Sequence, residues 1–195
     1  MMGNRKHKVS TEKVKHAVYD MLQELEEVPD RPGIASTPDR VARMWMDELT
    51  SGYGVDVDGL FKLFENEGYQ GMVTMTDIPV TSVCEHHMVP IIGYAHVAYF
   101  PGDKGVVGLS KIARVVNAYA RRLQVQERLT QQIVDAFDRN LEPRGCMVLI
   151  EAEHMCMTMR GVQAPGTKTI TSTVTGLFLD EPECKTEFLR LIRKA

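Results

Sequence analysis

The chain has 195 residues, yet no apolar run approaches the length of a membrane span. Its basic start, Met1-Met2-Gly3-Asn4-Arg5-Lys6-His7-Lys8, is not followed by the apolar core of a secretory signal. Four cysteines in a chain this long do not make a disulfide framework. None of them forms the paired Cys-x-x-Cys knuckles of a structural zinc finger. Charge of one sign is also scarce. The net charge is −3, with acids and bases interspersed, which argues against broad nucleic-acid or membrane-surface binding but leaves room for a local basic pocket. No internal repeat or low-complexity segment stands out. These absences lead us to expect a cytoplasmic protein with reduced thiols, no nucleic-acid partner and no membrane.

What is present is unevenly distributed. Cys84-Glu85-His86-His87 is followed seventy residues later by His154-Met155-Cys156. Together they offer two thiols and three imidazoles. Zinc takes thiolate sulfur and imidazole nitrogen, with four protein ligands in closed structural sites and three in catalytic ones. Ordinary buried Cys and His residues are the competing reading, but five such groups in two tight clusters favour metal. We assign zinc to Cys84, His87 and Cys156, leaving His86 and His154 as proton carriers with reference pKa values near working pH. Other choices among the three histidines remain open at this level. Cys84 and His87 are three apart, so both reach one metal only if the chain bends there. Cys146 reads as core, and Cys184 has no functional reading.

The periodicity divides the chain near residue 70. Residues 1–70 read as a helical extension with a polar first decade. One helix spans about Thr11–Glu27, and another starts at Thr37-Pro38-Asp39 with Thr37 as capping hydroxyl. From Met72 the pattern changes to β-branched and aromatic runs: strands over Met72–Val83, Met88–Phe100, Cys146–Met159 and Thr169–Leu179. Helices are expected over Ser110–Arg121, Val125–Asn140 and Pro182–Arg193. Adjacent strands with short connections point to antiparallel pairing and an α+β class. If the third strand runs through Met159, then His154, Cys156, Thr158 and Arg160 share one face of it.

Ser110 opens a predicted helix, whose N-terminus offers free N–H groups to phosphate, with Lys111 and Arg114 as neighbours three apart. A capping serine with two solvated bases is the ordinary alternative. The same pair of readings applies to Arg40 and Arg43. Glu127 near another helix start is either a dipole-favoured acid or a carboxylate for the N–H edge of a guanine.

Four motifs in order carry a resemblance: Ser82-Val83-Cys84-Glu85-His86-His87, Val107-Gly108-Leu109-Ser110-Lys111, Gln124-Val125-Gln126-Glu127-Arg128-Leu129-Thr130, and His154 through Gln163. From about Thr37 to Leu191 the chain resembles GTP cyclohydrolase I, the zinc enzyme that begins pterin and tetrahydrofolate synthesis. The resemblance implies Cys84, His87 and Cys156 as zinc ligands. It implies His86, His154 and Ser110 in catalysis, and Glu127 and Gln126 at the substrate. Lys111, Arg114 and Arg160 then hold the triphosphate, with Arg40 and Arg43 contributed by a neighbouring subunit. It further implies the tunnelling fold: a four-stranded antiparallel sheet with helices on one face, joined across subunits into a barrel. Two five-membered rings then stack into a homodecamer with active sites between subunits. GTP is the implied substrate. The alternatives are a nitrile reductase of the same fold and a zinc-binding protein without turnover.

Overall fold

The computed structural model describes residues 11–25 and 30–193. The expected features of the first decade and of Glu26 and Glu27 lie outside these residues. Helix α1 (Thr11–Leu25) packs against α2 (Thr37–Arg43), and Lys15 Nζ pairs with Asp39 at 2.9 Å. The cap of α2 is Ser36, not Thr37, and it makes no side-chain capping bond. Past Met44 the helix widens into a π turn over Met44–Leu49, where Thr50 N–H reaches Trp45 O. Short 3-10 turns cover Ser51–Gly54 and Asp58–Leu60. A two-residue ribbon pairs β1 (Leu63–Phe64) with β4 (Val106–Val107).

The main sheet holds four long antiparallel strands: β2 (Val73–Cys84), β3 (Pro90–Phe100), β6 (Gly145–His154) and β7 (Lys168–Val174). A two-residue strand, β5 (Leu123–Gln124), adds in parallel beside the end of β2, giving the order β5-β2-β3-β6-β7. Alternation along β3 and β6 makes two different faces. Ile91, Ala95, Val97 and Tyr99, with Cys146, Val148, Ile150 and Ala152, meet α3 (Leu109–Ala120) and α4 (Gln126–Leu141). Ile112, Val116, Ile133 and Phe137 from those helices are fully buried there. Phe61 stands edge-on to Phe137 with ring centroids 5.3 Å apart, tying the 3-10 segment into the same core. Truncating Phe137 to Ala would cost about 3–5 kcal/mol, as large-to-small core changes do.

Helices do not keep to one face, as the family resemblance implied. Ala98, Phe100, Met147 and Leu149 point the other way and are covered by Phe178 and Phe188 of α6 (Leu177–Asp180) and α7 (Pro182–Ile192). The reason is Gly176, whose φ of +50° turns the chain out of β7 while Leu177 N–H bonds Arg144 O. The last strand therefore ends five residues before the expected Leu179. No helix among the described residues is long and apolar enough to cross a membrane.

Candidate active site

Strand β2 ends at Cys84 because the chain reverses there. Met88 N–H bonds Cys84 O at 2.8 Å, Cys84 N–H bonds Val89 O at 2.9 Å, and Met88 takes a φ of +56°. This bend turns His87 back toward Cys84. Strand β6 stops at His154, earlier than the sequence suggested, and Met155–Thr158 form a single helical turn, α5. His154, Cys156, Thr158 and Arg160 therefore do not line one strand face. Thr158 Oγ1 lies 3.0 Å from Glu153 Oε1 and 3.2 Å from His154 O, either of which can take its single proton, and Gly166 N–H donates to the same Glu153 oxygen. The turn swings Cys156 inward.

As a result, the donor atoms of Cys84, His87 and Cys156 lie within 4.8 Å of one another. Zinc bonds of about 2.3 Å to sulfur and 2.0–2.1 Å to nitrogen place tetrahedral ligand atoms at comparable separations, so the set fits that ion. All four cysteines are free thiols. Burial pushes the Cys156 thiol up, and its neighbour Cys84 adds to the rise; a metal would reverse this by favouring the thiolate. Arg160 Nη1 approaches His87 Nε2 at 3.3 Å. His86 Nδ1 lies 3.8 Å from Cys84 Sγ.

Behind the thiols, α4 begins at Gln126. His154 Nε2 sits 2.7 Å from Gln126 Oε1. Burial holds the His154 pKa below the usual imidazole value, and the Glu127 carboxylate partly offsets this. Glu127 itself is exposed at the first turn of α4 and makes no ion pair among the described residues. A second set of contacts fastens the metal loop to the same segment. Glu85 N–H bonds Gln124 O at 3.1 Å, and Arg128 bridges the Glu85 carboxylate, Gln124 Oε1 and Leu123 O. Arg128 holds the Glu85 carboxyl below its ordinary range. Sequence reasoning passed over Glu85, Gln124 and Arg128 in this fastening role. The available signal was polar Gln124, Gln126 and Thr130 beside apolar Leu129 and Ile133.

One group of expected residues lies elsewhere. Val107 N–H bonds Tyr99 Oη at 3.3 Å, so the start of α3 sits at the Phe100 end of β3. His154 pairs with Ile91 at the opposite end. Eight residue steps along the strand separate Ile91 from Tyr99, roughly 26 Å at ~3.3 Å per residue. Only the last turn of α3 comes back toward the metal loop, where β5 pairs Leu123 with Val83. Ser110, Lys111 and Arg114 thus stand far from the thiols of their own chain. Ser110 is the second residue of α3, and Gly108 occupies the cap position. Arg40 and Arg43 lie on α2, and among the described residues no hydrogen bond or ion pair joins them to the cluster; Arg43 Nε bonds Asp39 O at 3.4 Å. One chain brings together Cys84, His86, His87, Gln126, Glu127, His154, Cys156 and Arg160, and leaves the other basic residues outside.

Known proteins match the chain over most of its length. The family model described as GTP cyclohydrolase I matches residues 14–193. GTP cyclohydrolase 1 of Caldanaerobacter subterraneus subsp. tengcongensis is 47% identical over 184 residues, covering 94% of this chain and 97% of that protein. The same enzyme of Chlorobium chlorochromatii is 52% identical over 185 residues, covering 94% and 82%. Among solved structures, the apo form of an archaeosine synthase QueF-like protein is similar with a TM-score of 0.46 and 16% identity. It covers 55% of this chain and 96% of that one. The family match over residues 14–193, with relatives 47% and 52% identical along 94% of the chain, means that this protein belongs to the GTP cyclohydrolase I family.

Proposed function

We propose that the chain hydrolyses GTP to formate and 7,8-dihydroneopterin triphosphate at a zinc site held by Cys84, His87 and Cys156. The family is zinc-dependent in general, and the observation that carries the assignment is the convergence of those three donor atoms beside His154 and Glu127. Bound zinc supplies a polarised water, available as hydroxide near neutral pH. Glu127 anchors the guanine edge. His154 delivers a proton to the imidazole nitrogen of guanine, which makes C8 electrophilic toward water, and the five-membered ring opens. A second hydrolysis releases C8 as formate, with His86 passing protons. The ribose then opens, rearranges and closes a six-membered ring, with Ser110 at the sugar. Lys111, Arg114 and Arg160 hold the triphosphate, completed by Arg40 and Arg43. Fixing both ends of the nucleotide supplies orientation, a large part of barrier reduction in general.

The separation of Ser110, Lys111 and Arg114 from the thiols of their own chain supports sites built between subunits. A tunnelling fold with sheets joined into a barrel, in two stacked five-membered rings, accounts for it. Joining also protects the edges of β7 and of the β5–β2 side, which a lone sheet leaves open. In this reading residues 1–70 are a helical extension to a catalytic domain at 71–195, and the thiols belong in a reducing cytosol. Incubating zinc-loaded protein with GTP tests the assignment. Formate release and the fluorescence of oxidised neopterin are expected; zinc-loaded protein that yields neither would overturn it and leave a metal-binding role.

A further inference from the structure

The side chain of Gln126 is 1% exposed and its hydrogen bonds are determined by its neighbours. Its Nε2 lies 3.0 Å from Ile150 O, 3.0 Å from Thr169 O and 3.1 Å from Thr171 Oγ1. Carbonyl oxygens only accept, so the amide cannot be turned around: both N–H groups face β6 and β7, and Oε1 faces His154. The hydroxyls agree in polarity. Thr130 Oγ1 donates to Gln126 O at 2.8 Å, so it accepts from Thr171 Oγ1 at 2.7 Å, and Thr171 in turn accepts from Gln126 Nε2. With Oε1 an acceptor 2.7 Å away, His154 Nε2 carries a proton.

We infer that Gln126 is a positioning residue that acts through His154, and that its side chain does not bind substrate as the family resemblance implied. The inference rests on the reading of His154 as a proton carrier. Holding Nε2–H fixes the orientation of the ring and leaves Nδ1 as its nitrogen outside the Gln126 network. In the neutral ring Nδ1 has the lone pair. The bonds to Ile150 and Thr169 anchor Gln126 to two neighbouring strands, so the ring plane is set by the sheet rather than by the substrate. Loss of Oε1 frees the ring to rotate and to exchange tautomers.

The test is Gln126→Met in the zinc-loaded enzyme, with zinc content and melting temperature measured on the same sample. Removing the hydrogen bond that sets the ring's orientation predicts a fall in kcat of ~10–100-fold, with KM held within ~2-fold. In a His154→Ala background the same change should cost little, because the group it positions is gone. A rise in KM at unchanged kcat, or a full penalty that persists without His154, would overturn the proposal. If His154→Ala itself keeps full turnover, the reading of His154 fails first, and the two failures are told apart. Should Gln126→Met not fold, Thr171→Val removes one acceptor and leaves the Ile150 and Thr169 carbonyls. It should lower kcat by less, at constant KM and only when His154 is present; a KM effect there would overturn the proposal equally.

Discussion

At the scale of single residues, the proposed mechanism separates groups that would hold a metal from groups that would move protons. Cys84, His87 and Cys156 leave no spare ligand, so changing any one to Ala should remove zinc and abolish formate release. Metal analysis and formate assay on the same sample check this; normal zinc with full activity in any variant sinks the assignment. His154 behaves differently because its Nε2 is taken by Gln126 at 2.7 Å. His154→Ala should keep zinc and bind GTP, while turnover falls at least ~10²-fold, the lower range for a lost general acid. Little ring-opened formyl intermediate should accumulate, because the block comes early. An absorbance trace showing normal ring opening in His154→Ala would contradict the assigned role.

At the scale of elements, the site depends on where strands stop. A bulge in β2 between Met75 and Ile78 sets Asp77 at a φ of +54° and aims its N–H at His96 Nδ1, 3.2 Å away. His96 is 4% exposed, and burial lowers its pKa, partly countered by Asp77 and Glu151. The folded state therefore favours neutral His96. Its contribution is present above the unfolded pKa of ~6.5 and is lost as pH falls below that value, because the unfolded chain binds the proton more readily. Protonation also leaves the Asp77 N–H without its acceptor. Urea unfolding at pH 7 and pH 5 should show a smaller acid loss of stability for His96→Asn than for the parent, since the Asn oxygen can accept that N–H without titrating. Equal acid losses in the two proteins would remove His96 as a cause.

At the scale of the whole molecule, the distance between the α3 start and the thiols is the decisive fact. If each active site draws its metal cluster from one subunit and Lys111 from another, a zinc-less variant and a GTP-binding variant should rescue each other at GTP concentrations well below saturation of the Lys111 variant. Lys111→Ala weakens GTP binding by about 1.5–3 kcal/mol for the charged hydrogen bond lost, and Cys156→Ala removes zinc. Co-assembled from equal amounts, the two variants should regain activity at roughly a quarter of the sites, those with both intact halves. Each variant alone, or the two mixed without reassembly, should not. Absence of rescue in verified mixed assemblies would place the whole site in one chain.

The sequence by itself indicated the candidate donor residues, the order of the long helices and strands, and the family. Those depend on residue type and on spacing within a few positions: thiols and imidazoles in Cys84–His87 and His154–Cys156, β-branched runs in β2 and β3, and an apolar stripe through Leu129, Ile133 and Phe137. Only the tertiary structure decided that β6 stops at His154. Four residues of Met155–Thr158 have no strong preference of their own, and Glu153 fixes the turn by catching Thr158 and Gly166 from outside it. It also decided that Gln126 is buried in a hydrogen-bonded network, because Ile150, Thr169 and Thr171 reach it from strands 24 to 45 residues away. The same holds for Ser110 and Lys111, adjacent in motif order to the metal residues yet carried to the far end of the sheet by the β3 turn. Local spacing carries chemistry, but position within the site is set by long-range pairing, which no window of sequence contains.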